Sequence, residues 1–87
     1  MSDDTLLEFP CNFPIKVMGH NAGDFQTLVF DIVSRHDPEL DETRLQSRES
    51  RHGRFQSITV NVYATSRAQL DAIYEDLSAH ERVVMAI

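Results

Sequence analysis

Phe55-Gln56-Ser57-Ile58-Thr59-Val60-Asn61-Val62-Tyr63-Ala64 is the stretch on which the fold turns. Ile58, Val60 and Val62 alternate with Ser57, Thr59, Asn61 and Tyr63, the period-two pattern of a strand buried on one face only. The β-branched residues on the apolar side suit a pleated surface. This is the strongest strand in the chain and is expected near the middle of a sheet.

Downstream, Ser66 and Gln69 have the spacing of a capping box, and Leu70, Ile73, Tyr74 and Leu77 recur at helical intervals. The spacing predicts a helix from Ser66, followed by a last strand over Glu81–Ile87. Upstream, Gly53 marks a turn, and Thr43–Arg51 reads as a strand with Leu45 as its only large apolar residue. So little apolar content suits a sheet edge. Before it, Phe25, Leu28, Val29, Ile32 and Val33 form one apolar stripe. They predict a helix over Ala22–His36, with Asn21 as its N-cap and Asp24 near its positive end. Pro38 stops that helix, and His36 suits its C-terminal end. Phe13–Met18, with Ile15 and Val17 alternating against Lys16 and Met18, is the first strand. Pro10 and Pro14 argue against helix here.

The order is therefore β-α-β-β-α-β. It predicts an α+β, ferredoxin-like sandwich, a four-stranded antiparallel sheet with both helices on one face. Residues 1–12 are expected as an irregular segment, docked through Leu6, Leu7 and Phe9, and 13–87 as a single domain.

Composition sets bounds on function. An 87-residue chain with 41% hydrophobic residues carries one modest core, which makes self-association, a homodimer for instance, a natural expectation. A net charge of −6 lacks the positive field that attracts phosphate backbone, so no nucleic-acid partner is expected. Cys11 is the only cysteine, which fits a reducing compartment. Without a basic leader or an apolar span, the reading is a cytoplasmic protein with no membrane partner.

Topology brings residues together that sequence separates. The end of strand one, the hairpin after strand two, the start of strand four and the start of helix one share one end of the sheet. That end collects Gly19, His20, Asn21, Gly23 and Asp24, then Arg51, His52 and Arg54, with His80 and Arg82 beside them. Helix one adds unpaired backbone N–H groups. The expectation is an anion site for a carboxylate, a phosphate or an acidic patch on a partner. A solvated basic turn is the plain alternative. The sheet face away from the helices is the second candidate surface, with Lys16, Met18, Thr59, Asn61 and Tyr63. Arg44, Gln46 and Arg48 join it if Leu45 points inward, and Val84 and Ala86 are expected there too.

Familiar chemistry is not found. There is no glycine-rich phosphate loop, no H-E-x-x-H, no C-x-x-C and no G-x-S-x-G. A metal site from His20, His52 and His80 has no supporting ligand spacing, and no cofactor or metal is expected. Cys11 reads as a partly buried apolar residue rather than a nucleophile. The chain is read as non-enzymatic.

Leu6-Leu7-Glu8-Phe9-Pro10 and Ile15-Lys16-Val17-Met18-Gly19 resemble the opening of the small bacterial YbeD-like proteins. Arg35-His36, the segment Gly53–Val60, and Gln69 through Tyr74-Glu75-Asp76-Leu77 extend the resemblance over nearly the whole chain. It implies a ferredoxin-like fold and no established catalytic residues. Genes of that family often lie near those for lipoate attachment, which implies a link to lipoate metabolism. Asn21-Ala22-Gly23-Asp24-Phe25 is also similar to the strand-to-helix turn of ACT-type regulatory domains, with alanine where a proline often stands. That second resemblance implies a ligand location around Gly19–Asp24 at a subunit interface. The combined expectation is a regulatory module sensing a small anionic metabolite. The alternative is an interaction adaptor for a bacterial metabolic enzyme.

Overall fold

The computed structural model describes residues 8–50 and 52–87. Its elements are β1 (Cys11–His20), α1 (Phe25–Ser34), β2 (Leu45–Glu49), β3 (Phe55–Ala64), α2 (Arg67–Ala79) and β4 (Val83–Ala86), with a 3₁₀ turn at Glu42–Arg44 leading into β2. The sheet is antiparallel with strand order β2-β3-β1-β4, so the chain is an α+β sandwich of the expected order.

The alternation in β3 does what its composition dictates. Ile58, Val60 and Val62 are fully buried, as are Ile15 and Val17 on β1. Register places Ile15 opposite Val60 and Val17 opposite Ile58, so four β-branched residues form the floor of the core. Phe25, Val29, Ile32 and Val33 of α1 and Leu70, Ile73 and Leu77 of α2 close it from above. Both helices therefore cover the same sheet face. Leu45 points into the core from β2, which turns Gln46 and Arg48 to the other side.

Four boundaries depart from the sequence reading, each for a physical reason. β1 starts at Cys11 rather than Phe13, so Cys11 and Asn12 are strand and not irregular segment. Pro14 is tolerated inside it. Lys16 exchanges N–H and C=O bonds with Ile87 at 2.8 and 2.9 Å, so the Pro14 nitrogen, two residues earlier, faces the same side of β1 beyond Ile87. Its missing donor removes no bond to β3. Phe9 packs against the core as expected, while Leu6 and Leu7 lie outside the described residues.

α1 starts three residues late, at Phe25, with Asp24 in the N-cap position and no side-chain cap. Asn21, expected to cap it, is engaged elsewhere. β2 is short because Asp41 accepts the Thr43 N–H at 2.9 Å and holds Glu42–Arg44 in a 3₁₀ turn. β4 is bulged against β1: Met18 faces Met85, but Gly19 faces Val83, leaving Val84 as the extra residue. The bulge corrects the expected outer face. Ala86 pairs with Val17 on the inner side, and Met85 takes the outer position.

The end of the sheet away from the hairpin is fastened by polar groups. Asp37 is buried, 3% exposed, and accepts the Tyr63 N–H at 3.0 Å and the Glu39 N–H at 3.3 Å. Ser66 Oγ accepts the Gln69 N–H at 3.1 Å, the first half of the expected capping box. The second half is displaced by one residue: Gln69 Oε1 accepts from Thr65 N at 2.6 Å. Gln69 Nε2 donates to the His36 carbonyl at 2.8 Å. His36 lies past the end of α1, and its ring meets Asp76 of α2 at 2.6 Å. It ties the two helices together rather than serving the α1 dipole.

Candidate functional site

The loops at the hairpin end converge as the topology requires. Asn21 N–H donates to the Arg54 carbonyl and Asn21 Nδ2 to the Gly53 carbonyl, both at 2.9 Å. The His20 ring stacks on Phe55 with centroids 5.2 Å apart. Ser50 closes the hairpin: its carbonyl accepts from Gly53 N at 3.0 Å, and Phe55 N donates to its Oγ at 3.1 Å. Gly53, with φ +70°, supplies the left-handed residue that the turn needs.

Arg82, from the loop before β4, reaches Asp24 at 2.8 Å. Arg82 holds the Asp24 carboxyl below the usual carboxylate range, by hydrogen bonding first and by charge second, and Asp24 pushes Arg82 up in return. His80 Nδ1 accepts from Arg82 N at 3.2 Å. Gly19 is buried where a side chain would strike both the Phe25 ring and the Arg82 carbonyl.

Of the eight residues expected to form an anion site, Gly19 is buried, and Asn21 and Asp24, though exposed, are engaged by the hairpin and by Arg82. His20 is exposed and lies on Phe55; Gly23, His52 and Arg54 are exposed; Arg51 lies outside the described residues. What this end presents outward is the hairpin tip with His52 and Arg54, rather than a basin of free donors. Among the described residues, no three of His, Cys, Asp and Glu gather as a metal cage would require.

The sheet face away from the helices is the second surface. Register assigns Asn12, Pro14, Lys16, Met18 and His20 of β1 to it, with Phe55, Ser57, Thr59, Asn61 and Tyr63 of β3, Gln46 and Arg48 of β2, and Met85 of β4. No carboxylate stands among them. Arg44 joins them just before β2, its Nη1 pointing at the Asn61 carbonyl, 3.4 Å away. Most exposed acids lie elsewhere, such as Asp31 on α1, Asp71, Glu75 and Asp76 on α2, and Glu39, Asp41 and Glu42 in the loop before β2; Glu49 alternates to the other side of β2 but is exposed at the hairpin end of this face. An acidic chain therefore carries a cationic sheet face.

Lys16 and Arg48 stand over a shallow groove of about 300 Å³, completed by Gln46, Ser47, Ser57 and Thr59. Neither cation has an ion-pair partner among the described residues. A smaller groove, about 110 Å³, continues past Arg48 and Ser57 to Met18 and Phe55, with Glu49 in its lining. The large apolar residues left exposed are Tyr63, on this face, and Val84, Met85 and Ile87 along its β4 side. The alternation of β1 and β3 made most of this surface legible. The β4 contribution was not, because it depends on the bulge.

Fold and surface together define a small ferredoxin-like α+β domain whose sheet is covered on one side and open on the other. The chain belongs to the family described as "Protein of unknown function (DUF493)", whose model matches residues 4–87. It is 42% identical over 87 residues to a UPF0250 protein of Nitrosomonas europaea, and 47% identical over 89 residues to one of Chromobacterium violaceum. Both alignments cover 100% of this chain and of the relative. The YbeD-like resemblance read from the sequence is this family. The solution structure of protein HP0495 from H. pylori superposes with a TM-score of 0.72 at 18% identity, covering 100% of this chain and 94% of that one, and so shares its fold.

Proposed function

We propose that this chain is a non-catalytic adaptor of the cytoplasm that docks an acidic protein partner on its open sheet face. The observation that carries the reading is the separation of charge. With a net charge of −6, a random surface would mix acids into every face. Here Lys16, Arg44 and Arg48 share a face to which register assigns no carboxylate, Glu49 reaching only its hairpin end. Complementary potential of this kind steers encounter and fixes orientation. A bacterial metabolic enzyme, one in lipoate metabolism for instance, is the kind of partner that the family resemblance suggests.

A second reading keeps the module as a sensor of a small anionic metabolite, in the manner of an ACT domain and as a homodimer. One observation favours it: Asn21 ties the first loop to the hairpin, leaving His52 and Arg54 exposed beside it. Amide NMR titration separates the two. Polyglutamate should shift Lys16, Arg48 and Thr59, with affinity falling as salt rises. Amino acids, octanoate, lipoate and phosphorylated metabolites should leave the sheet face silent. Small-molecule shifts confined to Gly19–Asp24 and His52–Phe55 would replace the adaptor reading with the sensor. Polyglutamate without effect on the sheet face would refute the adaptor.

A further inference from the structure

The open face is not uniform, and its division says what kind of segment would fit it. Across one row stand Arg48, Ser57, Met18 and Met85; across the next, Gln46, Thr59, Lys16 and Ile87. Cations and hydroxyl or amide groups occupy the β2–β3 half. Thioether and aliphatic groups occupy the β1–β4 half, where Val84, Met85 and Ile87 are 52, 48 and 64% exposed. Lys16 lies at the boundary.

We infer that this face binds an acidic amphipathic helix of a partner protein, laid along the strands with its apolar flank toward β4 and its carboxylates toward β2. This deepens the adaptor reading and rests on it. Charge complementarity selects glutamate- or aspartate-rich sequence, since Lys16 and Arg48 stand on the face without an ion-pair partner among the described residues and Glu49 reaches it only at the hairpin end. The apolar half adds a requirement that a merely acidic chain does not meet, because water released from Met18, Met85 and Ile87 contributes only if apolar groups replace it. The width then selects the element. Four strands span about 14 Å centre to centre, and a helix with its side chains is about 10–12 Å across. A single helix can thus touch Arg48 with one flank and Met85 with the other. Methionines on such a face adapt to different aliphatic partners. The bound helix would be the mirror of α1 and α2 on the far side, giving the sheet a second cover.

The probe is a synthetic helical peptide of about 16 residues, with glutamates along one flank and leucines along the other. Polyglutamate of equal length and a scrambled peptide of the same composition serve as references. Labelled protein is titrated with each, and shifts are mapped. The helix should perturb Lys16, Met18, Arg48, Thr59 and Met85, and bind at least about tenfold tighter than polyglutamate. Met85→Ser should erase most of that advantage while sparing polyglutamate binding. The double variant Lys16→Glu/Arg48→Glu should abolish both; all three positions are exposed, so the fold is retained.

Equal affinity for helix, scramble and polyglutamate would overturn the helix while leaving the adaptor reading intact. Failure of every acidic probe to shift the face would overturn both. Shifts at Phe55 and Tyr63 on adding oligouridylate would assign the face to single-stranded RNA instead. Concentration-dependent shifts on the face, with dimers in sedimentation, would assign it to a second copy of this chain. Either result overturns the inference.

Discussion

Gly19→Ala is the substitution by which the packing of the loop end can be tested most sharply. A methyl group at Gly19 would lie 2.5 Å from the Arg82 carbonyl oxygen and 2.5 Å from the Phe25 ring. Ordinary carbon contacts begin at about 3.5 Å. One neighbour is backbone and the other is a fully buried aromatic ring, so neither can swing into solvent. Overpacking of this kind costs about 1–3 kcal/mol, and two opposed contacts place Gly19→Ala near 3 kcal/mol. With a urea slope near 1–1.5 kcal/mol per molar for a domain of this size, the midpoint should fall by roughly 2–3 M. Gly23→Ala is the control, because a methyl there meets nothing within 4 Å and the midpoint should hold or rise slightly. If Gly19→Ala leaves too little folded protein to titrate, the cycle with Phe25→Leu still decides. Leucine removes the ring atoms, so Gly19→Ala should cost less by at least about 1 kcal/mol in that background. A Gly19→Ala midpoint within about 0.3 M of the parent, or strict additivity with Phe25→Leu, would refute the reasoning.

Three further outcomes follow from the polar contacts. Ser66→Ala removes the acceptor for the Gln69 N–H and should lower stability by about 1 kcal/mol in the same urea assay. Asp37→Ala strips acceptors from the Tyr63 and Glu39 amides; it should cost about 2–3 kcal/mol and speed hydrogen exchange at Tyr63 by at least about tenfold, with unchanged exchange counting against the assignment. Asp24 has a folded-state pKa below its ordinary value because Arg82 stands beside it. Its contribution is therefore present above the unfolded pKa and is lost as pH falls through the folded one. The urea midpoint should drop more steeply below about pH 4 in the parent than in Asp24→Asn, and parallel curves would show that the pair is not formed in solution.

Local pattern was enough for the parts of the fold that obey local rules. Ile58, Val60 and Val62 declare their face by alternation alone, and Leu70, Ile73 and Leu77 declare theirs by helical spacing. A β-α-β-β-α-β chain with right-handed crossovers has few possible strand arrangements, and β2-β3-β1-β4 is one of them. What escaped was decided by partners distant in sequence. Asn21 has the chemistry of an N-cap, yet the hairpin tip, 32 residues away, supplies carbonyls that compete for its side chain and its N–H. Asp24 looked like a carboxylate placed for a helix dipole, and Arg82 claimed it. Pro14 argued only against helix, and nothing local reveals why a strand tolerates it, namely that its nitrogen faces past Ile87.

The same distinction bears on where function resides. The loop end was the more suggestive site in sequence, because histidines, arginines and a helix start are conspicuous residue types. Folding uses much of that chemistry internally: Arg82 is paired with Asp24, Asn21 donates from its N–H and Nδ2 to the hairpin, and Gly19 is packed against Phe25. The sheet face looked ordinary, since Lys16 and Arg48 are unremarkable surface residues when read one at a time. Only the register shows that they share a groove whose lining holds no carboxylate. Arranging three cations on one face of a chain of net charge −6 keeps like charges near each other with no compensating ion pair among the described residues. On the proposed adaptor reading an anionic surface that covers the face offsets this repulsion, which is why the sheet face, rather than the loop end, is the place to look for a partner.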